Sequence, residues 1–255
     1  MSSQRTQPIG AVERSFAILD TLKELNGGGV TEVAEQLDIP KSTAHSHLAT
    51  LERIGCVRNE DEAYRIGLKF LELGGYAREQ MKLYRVARPE VENLADTTGE
   101  WSNLLVEDNG RGVYVHVERG EHAVELDVYE GRRPYLHSTA LGKAILAYKS
   151  DEEVRDILEK HGMPQLTPRT VETEEELFDR LEQVRERGCA FDREERLQGL
   201  KCVAAPIVVE SEDTVYGAVS VSGPTSRMKG ERFETEIPEL VTSAANVISI
   251  NLTYS

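Results

Sequence analysis

The chain has 255 residues and carries 45 Asp and Glu against 30 Lys and Arg, which gives a formal net charge of −15. This length suffices for two domains, and three isolated cysteines, without a Cys-x-x-Cys or a paired His motif, argue against a disulfide scaffold and a metal site. No apolar run approaches the roughly 20 residues of a membrane span. We therefore expect a cytoplasmic protein with reduced thiols, no metal, no cofactor and no membrane partner.

Three helices are predicted in the first 55 residues. An amphipathic pattern indicates a helix over 12–25, which three consecutive glycines end. A second, short helix ends at 38–40, because the residue before Pro40 is disfavoured in the α region. The third helix is predicted over 41–54 and ends at Gly55. Its buried positions are predicted to be Ala44, Leu48, Leu51 and Ile54.

The opposite face of the third helix carries short polar side chains, which approach base edges and phosphates closely. After Gly55, two short runs around a polar turn at 59–62 predict a β-hairpin. Three helices and a hairpin make a winged helix-turn-helix, so we predict that this part of the chain binds double-stranded DNA. The candidate contacts are Lys41, Ser42, Thr43, His45 and Ser46 in the helix, and Arg58 and Arg65 in the hairpin.

A small helical domain without DNA binding is the alternative for this region. Acidic residues outnumber basic ones there, whereas DNA-binding proteins usually present a basic face. The acids fall mostly outside the predicted reading face, on Glu13, Asp20, Glu24, Glu32 and Glu35. A local basic patch therefore remains, formed by Lys41, Arg53, Arg58 and Arg65.

An amphipathic helix is predicted over 68–84, where Gly74 and Gly75 indicate a kink or a close helix contact. It is expected to link two domains, and its exposed apolar side is a candidate dimer surface. A new helix is predicted from Arg88 to near Gly99. Strands are then predicted over 101–107, 112–118 and 123–129, and the Asn-Gly pair at 109–110 is a strong hairpin signal, so we expect an antiparallel meander.

The rest of the chain alternates helices and strands. Helices are predicted over 138–148, 152–161 and 174–187, strands over 189–192, 202–209 and 214–222, and a closing helix over 232–252. The predicted fold class is α+β: an N-terminal winged helix-turn-helix, a linker helix, and an antiparallel sheet flanked by helices. The predicted domains span residues 8–67, 68–87 and 88–255.

Several ordered motifs give the chain a family resemblance over essentially its whole length. They are PKSTAHSHLATLERIG, GRRPYLHSTALGKAIL, LTPRT, FDREER with GLKCVAAPI, and VSVSGP. With these motifs the chain resembles the IclR family of bacterial and archaeal transcription regulators. The resemblance implies a GAF-like second domain that binds a small molecule, often an organic or sugar acid, and control of a catabolic operon by a homodimer or homotetramer.

The acidic, arginine-rich and aromatic-poor composition is typical of a high-salt cytoplasm, as in a halophilic archaeon. An ordinary acidic protein is the alternative. Salt weakens phosphate binding by counterion release, so base contacts and dimer avidity would carry more of the affinity for DNA. Family members often have Arg where this chain has Ser46 and an apolar residue at His47. The operator sequence is therefore not predicted from relatives.

The resemblance also implies which residues line the effector pocket. They are His137, Ser138, Thr139 and Ala140 in one turn, with Asp192, Cys202, Ser220 and Ser222. Two observations agree with this set: Ser220 and Ser222 share one face of a strand, and backbone N–H groups at a helix start near Ala140 favour an anion. Other interpretations stay open: Ser138 as a helix cap, His137 as a packed residue, Cys202 as a small hydrophobe, and Asp192 as surface.

Other functions have weaker support from the sequence. Gly142-Lys143 resembles the end of a phosphate-binding loop, but His137 stands where that loop needs a glycine. An enzyme that uses Cys202 with a histidine, or Asp192 with Glu194, lacks a recognisable nucleophile–base pair. An architectural DNA-binding protein without a ligand would have bulky residues in the pocket, where this chain has small ones.

Overall fold

The computed structural model describes residues 8–212 and 214–254, which divide into two compact units between Ala77 and Arg78. The fold class is α+β, as predicted. Among the described residues, no helix is both long and apolar enough to cross a membrane.

The first unit contains three helices and a two-stranded hairpin, which together form the predicted winged helix-turn-helix, and the larger part of a fourth helix. The elements of the winged helix-turn-helix are α1 Gly10–Glu24, α2 Val30–Gln36, α3 Lys41–Arg53, β1 Val57–Glu60 and β2 Ala63–Ile66. The three helices enclose a small apolar core around Ile18, Leu22 and Leu48, all of which are buried. At the hairpin turn, Asp61 and Glu62 both have positive φ, which matches the right-handed twist of the two strands.

The prediction that Ile54 completes the buried stripe of α3 is wrong. The last residue of α3 is Arg53, and Ile54 is the C-cap, with 46% of its surface exposed. Gly55 has a φ of +78° and turns the chain away at this point, so the helical periodicity no longer applies to Ile54.

Two helices replace the single predicted helix over 68–84. They are α4 Lys69–Glu79 and α5 Lys82–Thr98, and no new helix begins at Arg88. Helix α5 continues through Pro89 because that residue is exposed, so water can satisfy the carbonyl that loses its N–H partner. Helix α4 runs through Gly74 and Gly75, and a Cβ at either would meet no described atom within 4 Å. The two glycines therefore make no close helix contact within the described residues, and the kink stays a prediction.

The second unit is built on one antiparallel sheet, whose strands are β3 Trp101–Asp108, β4 Arg111–Arg119, β5 Ala190–Arg193, β6 Leu200–Val209 and β7 Thr214–Pro224. Their order in the sheet is β4-β3-β7-β6-β5. The remaining elements are α6 Ala140–Leu146, α7 Asp151–His161, α8 Glu174–Arg187, a 3₁₀ turn Glu210–Glu212, a π-helical turn Arg232–Glu236, and α9 Ile237–Tyr254. Helices α5 and α9 pack on one face of the sheet, and α6 packs on the other.

The predicted strand over 123–129 is wrong. In an antiparallel meander this segment would pair with β4, which is an edge strand of the sheet. Residues 131–134 hydrogen-bond with that edge instead: Tyr114 N donates to the carbonyl oxygen of Arg132 at 3.1 Å, and Gly131 N donates to that of Tyr114 at 2.8 Å. A side chain of the sheet holds the 123–129 segment: Trp101 Nε1 donates to the carbonyl oxygen of Val124 at 2.7 Å.

Candidate functional sites

Helix α3 presents the predicted reading face to solvent. Lys41, Ser42, His45 and Ser46 are exposed, and Thr43 is half-buried. This orientation follows from the opposite face of α3, whose apolar residues pack against α1 and α2. The five side chains therefore lie on one accessible surface of the helix, which can contact a DNA groove.

Local hydrogen bonds position this face. Ser46 Oγ donates to the carbonyl oxygen of Ser42 at 2.9 Å, and Thr50 Oγ1 donates to that of Ser46 at 2.8 Å. His47 Nδ1 lies 2.8 Å from Ser15 Oγ on α1. His47 thus links two helices of the unit. This role was missed in the sequence, because the partner lies 32 residues away.

One carboxylate holds both predicted phosphate contacts of the hairpin. Arg58 and Arg65 are direct cross-strand partners. Glu60 Oε1 lies 3.0 Å from Arg58 Nε, and its Oε2 lies 3.5 Å from Arg65 Nε. Arg65 also donates to the carbonyl oxygen of Asn26 at 2.7 Å. All three charged side chains are about half exposed, so solvent screens these ion pairs.

In the second unit, the residues predicted to bind an effector lie on the α6 side of the sheet. Asp192, Cys202 and Ser222 are register partners across β5, β6 and β7. Ser220 lies two residues from Ser222 on β7, on the same face, and is also buried. The structure therefore brings these four residues together.

Asn103 belongs to the same cluster and was missed in the sequence. It lies on β3 opposite Ser220, and its Nδ2 is 3.3 Å from Ser220 Oγ and 3.5 Å from Ser222 Oγ. Its Oδ1 is buried without a hydrogen-bond partner among the described residues. An unpaired buried carbonyl costs free energy, and it calls for a donor from water or a ligand. The isolated Asn in the apolar run WSNLLV was the available signal.

The turn before α6 is also buried, and it corrects one interpretation. Thr139 is the N-cap of α6, with its Oγ1 accepting from Gly142 N at 2.9 Å, whereas Ser138 Oγ donates to the carbonyl oxygen of Tyr135. Ser138 is therefore not the helix cap. His137 Nε2 lies 3.2 Å from the carbonyl oxygen of Pro164. Burial lowers the pKa of His137, so this imidazole is neutral near pH 7.

Asp192 is buried, so its interpretation as a surface residue is wrong. Its Oδ1 accepts from the backbone N–H of Glu195 at 2.7 Å. Burial raises the pKa of Asp192 to about 7, and nearby Lys143 only partly opposes this effect. Burial likewise raises the pKa of Cys202 to about 12, so its thiol stays protonated. At neutral pH the cluster therefore offers mainly uncharged hydrogen-bonding groups.

A buried ion pair lies beneath this cluster and was also missed. Lys143 Nζ donates to Glu195 Oε2, and only 1% of the surface of Lys143 is exposed. The LTPRT motif fixes the backbone beside this pair: Thr167 Oγ1 donates to the carbonyl oxygen of Glu194 at 2.7 Å, and Thr170 Oγ1 to that of Glu195 at 2.6 Å. A lysine inside the apolar helix ALGKAIL was the available signal, since a buried lysine needs a partner.

Comparisons with known proteins cover almost the whole chain. The model of the IclR helix-turn-helix domain matches residues 11–61, and the model of the bacterial transcriptional regulator IclR C-terminal region matches residues 76–250. The chain is similar to the probable HTH-type transcriptional regulator ArcR of Halobacterium salinarum, at 34% identity over 96% of this chain and 94% of that protein.

Solved structures with the same fold include the IclR of Thermotoga maritima, with a TM-score of 0.75 and 30% identity over 96% of this chain and 99% of that one. An IclR homolog from Microbacterium hydrocarbonoxydans, complexed with 4-hydroxybenzoate, has a TM-score of 0.80 over 96% of this chain and 100% of that one. Its identity of 23% means that this second likeness concerns the fold alone.

Proposed function

The chain belongs to the IclR family of transcriptional regulators, as its motifs predicted, and on this premise we propose that it controls a catabolic operon in response to a small organic acid. Residues 8–67 would bind the operator, residues 88–255 the effector, and the helical segment 68–87 would connect them. The exposed polar face of α3 is the observation that carries the first part of this proposal.

The operator contacts follow from the placement of the polar side chains. Ser42, His45 and Ser46 can donate to and accept from base edges, since all three are exposed on the face of α3 away from the core. Lys41 at the start of α3, with Arg58 and Arg65 in the hairpin, would neutralise phosphates. To contact phosphates, the two arginines first have to break their ion pairs with Glu60.

The effector would bind to the cluster on the α6 side of the sheet. The unpaired Oδ1 of Asn103 supports this proposal, because it needs a donor that the described residues do not supply. A hydroxy acid or a sugar acid carries both a hydroxyl that donates to Oδ1 and a carboxylate that accepts from Ser220 and Ser222. The 4-hydroxybenzoate of the Microbacterium homolog has the same two groups.

A homodimer or homotetramer would place several reading helices on one operator. Helix α4 supports this assignment, because Leu71, Leu73 and Tyr76 all have more than half of their surface exposed. A second copy of the chain is a natural cover for such an apolar surface. Effector binding would then favour one arrangement of the copies, by its difference in affinity between two states.

The direct test is operator selection with the full-length protein and a random double-stranded DNA library, followed by fluorescence anisotropy on the selected site. We expect the variant with Ser42→Ala, His45→Ala and Ser46→Ala to bind that site at least about a hundredfold more weakly, because each base contact discriminates by roughly 1–3 kcal/mol. A panel of hydroxy and sugar acids added to the unmodified protein is expected to contain a compound that changes its operator affinity.

The matched control is Gln183→Ala, which removes an exposed polar side chain from α8 in the second unit. Its operator affinity should equal that of the unmodified protein. Retained affinity in the triple variant, with its circular dichroism unchanged, would show that the proposed reading face is wrong.

A further inference from the structure

His116 lies on the edge strand β4 with an unusual orientation. A β-bulge opposite Leu104 and Leu105 makes Leu104 pair with His116 and Leu105 with Tyr114, so Val115 has no partner. The bulge turns His116 away from the face of Tyr114 and towards α5, where its ring packs edge-on against Tyr84. The strict alternation of a regular strand would have placed it on the α6 side.

His116 is buried, with 7% of its surface exposed, and its Nε2 has no hydrogen-bond partner among the described residues. Two carboxylates lie near this ring, one from Glu92 on α5 and one from Glu118 on β4. One ligand atom of each of the three residues lies within 4.8 Å of the others. Glu118 Oε2, at 3.7 Å from Nε2, is too far for a hydrogen bond.

The hydrogen bond of the other ring nitrogen determines whether Nε2 carries a proton or a lone pair. His116 Nδ1 lies 3.2 Å from Glu130 Oε1, and an ionised carboxylate can only accept, so Nδ1 carries the proton. In the neutral ring, Nε2 then carries a lone pair, and Glu118 Oε2 lies 3.7 Å from it. A lone pair beside a negative group is unfavourable unless a cation lies between them. A carboxylate on the far nitrogen is also the usual support of a metal-binding histidine.

We propose that Glu92, His116 and Glu118 bind a divalent transition-metal ion of the zinc type. One imidazole nitrogen and two carboxylate oxygens suit such an ion, and the two carboxylates balance its charge. Arg88 donates to Glu92 Oε1 at 2.7 Å, which leaves the second oxygen of that carboxylate for the ion. Arg78 pairs with Glu130 in turn.

The site has a clear place in the second unit. It joins helix α5 to the edge strand β4, on the side of the sheet opposite the candidate effector cluster. A bound ion would therefore stabilise the contact between α5 and the sheet, and this inference does not depend on the proposed effector.

The test is isothermal titration of ZnCl₂ into the EDTA-treated, dialysed full-length protein, with the melting temperature as a second readout. We expect one ion per chain with micromolar or tighter affinity and a higher melting temperature. The double variant Glu92→Gln with Glu118→Gln keeps the side-chain shapes, and its affinity should fall at least about tenfold, since even partners of ligands affect affinity by 10–100-fold.

The matched control is Glu121→Gln with Glu125→Gln, two exposed acids of the same unit, which should bind zinc as the unmodified protein does. Absence of zinc binding in the unmodified protein would overturn the proposal. Equal zinc affinity in both double variants would also overturn it.

Discussion

Four charged residues are buried in the described part of the second unit, and their environments explain how they are tolerated. Glu100 pairs with Arg227. Lys143 and Glu195 neutralise each other in a buried pair. Asp192 has no ion-pair partner among the described residues, and burial raises its pKa to about 7. A buried carboxyl group without an ion-pair partner therefore keeps its proton up to about pH 7 in this unit.

Asp192 should make the stability of the second unit depend on pH. The unfolded carboxyl titrates near pH 4, so between about pH 4 and 7 the folded state holds a proton that the unfolded state has lost. Its contribution to stability is fully present below the unfolded pKa and is lost as pH rises through the folded pKa of about 7. We expect Asp192→Asn to flatten the decrease in unfolding free energy between pH 5 and 8, measured by urea denaturation.

Asp96 provides the control, because it is an exposed aspartate on α5. Asp96→Asn should keep the pH dependence of the unmodified protein. An unchanged slope in Asp192→Asn would mean that Asp192 is ionised in the folded protein throughout this range.

At this scale, the sequence predicted residues whose position follows from local spacing. Ser220 and Ser222 were placed together because alternate residues of a strand share a face. Asn103 was not, because its partners lie 117 and 119 residues away. The eight effector candidates came from the family resemblance, and their function stays a prediction.

At the scale of elements, Glu60 pairs with both arginines of the hairpin in the first unit. Glu60→Gln would release Arg58 and Arg65 and remove a negative charge from the proposed DNA side. Because exposed ion pairs contribute roughly 0.2–1 kcal/mol, we expect operator affinity to rise by up to about fivefold, with a steeper salt dependence. Anisotropy titrations at several salt concentrations measure both quantities.

Glu24→Gln removes the same charge from the end of α1, away from the proposed reading face, and it should leave the salt dependence unchanged. If Glu60→Gln binds no more tightly than Glu24→Gln, the two arginines do not contact DNA.

Helix α6 depends on a glycine for its close approach to the preceding turn. A Cβ at Gly142 would lie 2.1 Å from the carbonyl oxygen of Leu136, and backbone atoms cannot move aside as a flexible side chain does. We expect Gly142→Ala to lower the unfolding free energy by at least about 2 kcal/mol, at the upper part of the range for overpacking. Guanidinium denaturation monitored by circular dichroism provides the measurement.

Gly74→Ala is the matched control, because a Cβ there meets nothing within 4 Å on an exposed helix. It should stabilise the protein by about 0.5–1 kcal/mol, as alanine favours helix. Equal stability of the two variants would contradict the tight approach at Gly142.

Elements with a strong local signal were predicted well, and those decided by distant partners were not. The predicted helix over 174–187 coincides with α8 because its apolar stripe and its C-terminal glycine are both local. The segment 123–129 has a strand-like pattern, but residues 131–134 hydrogen-bond with the edge of β4 in its place. A single sequence without pairing information cannot decide between such competitors.

At the scale of the whole molecule, two units with separate cores predict two unfolding transitions. The single tryptophan, Trp101, lies on β3 and reports only on the second unit. Circular dichroism reports on the helices of both units. We expect the two signals to give different guanidinium midpoints, because non-coincident probes reveal more than one cooperative transition. Coincident midpoints and slopes would mean that the two units unfold as one.

The strand order also sets a sequence of events during synthesis. Strand β3 lies between β4, its immediate successor, and β7, which ends at Pro224. The first unit is complete once residue 77 has left the ribosome, whereas the sheet cannot close until about 150 more residues have been made. For that interval, each nascent chain carries a finished helix-turn-helix without a finished sensor. A truncated product of this gene would therefore be a DNA-binding fragment that no effector controls.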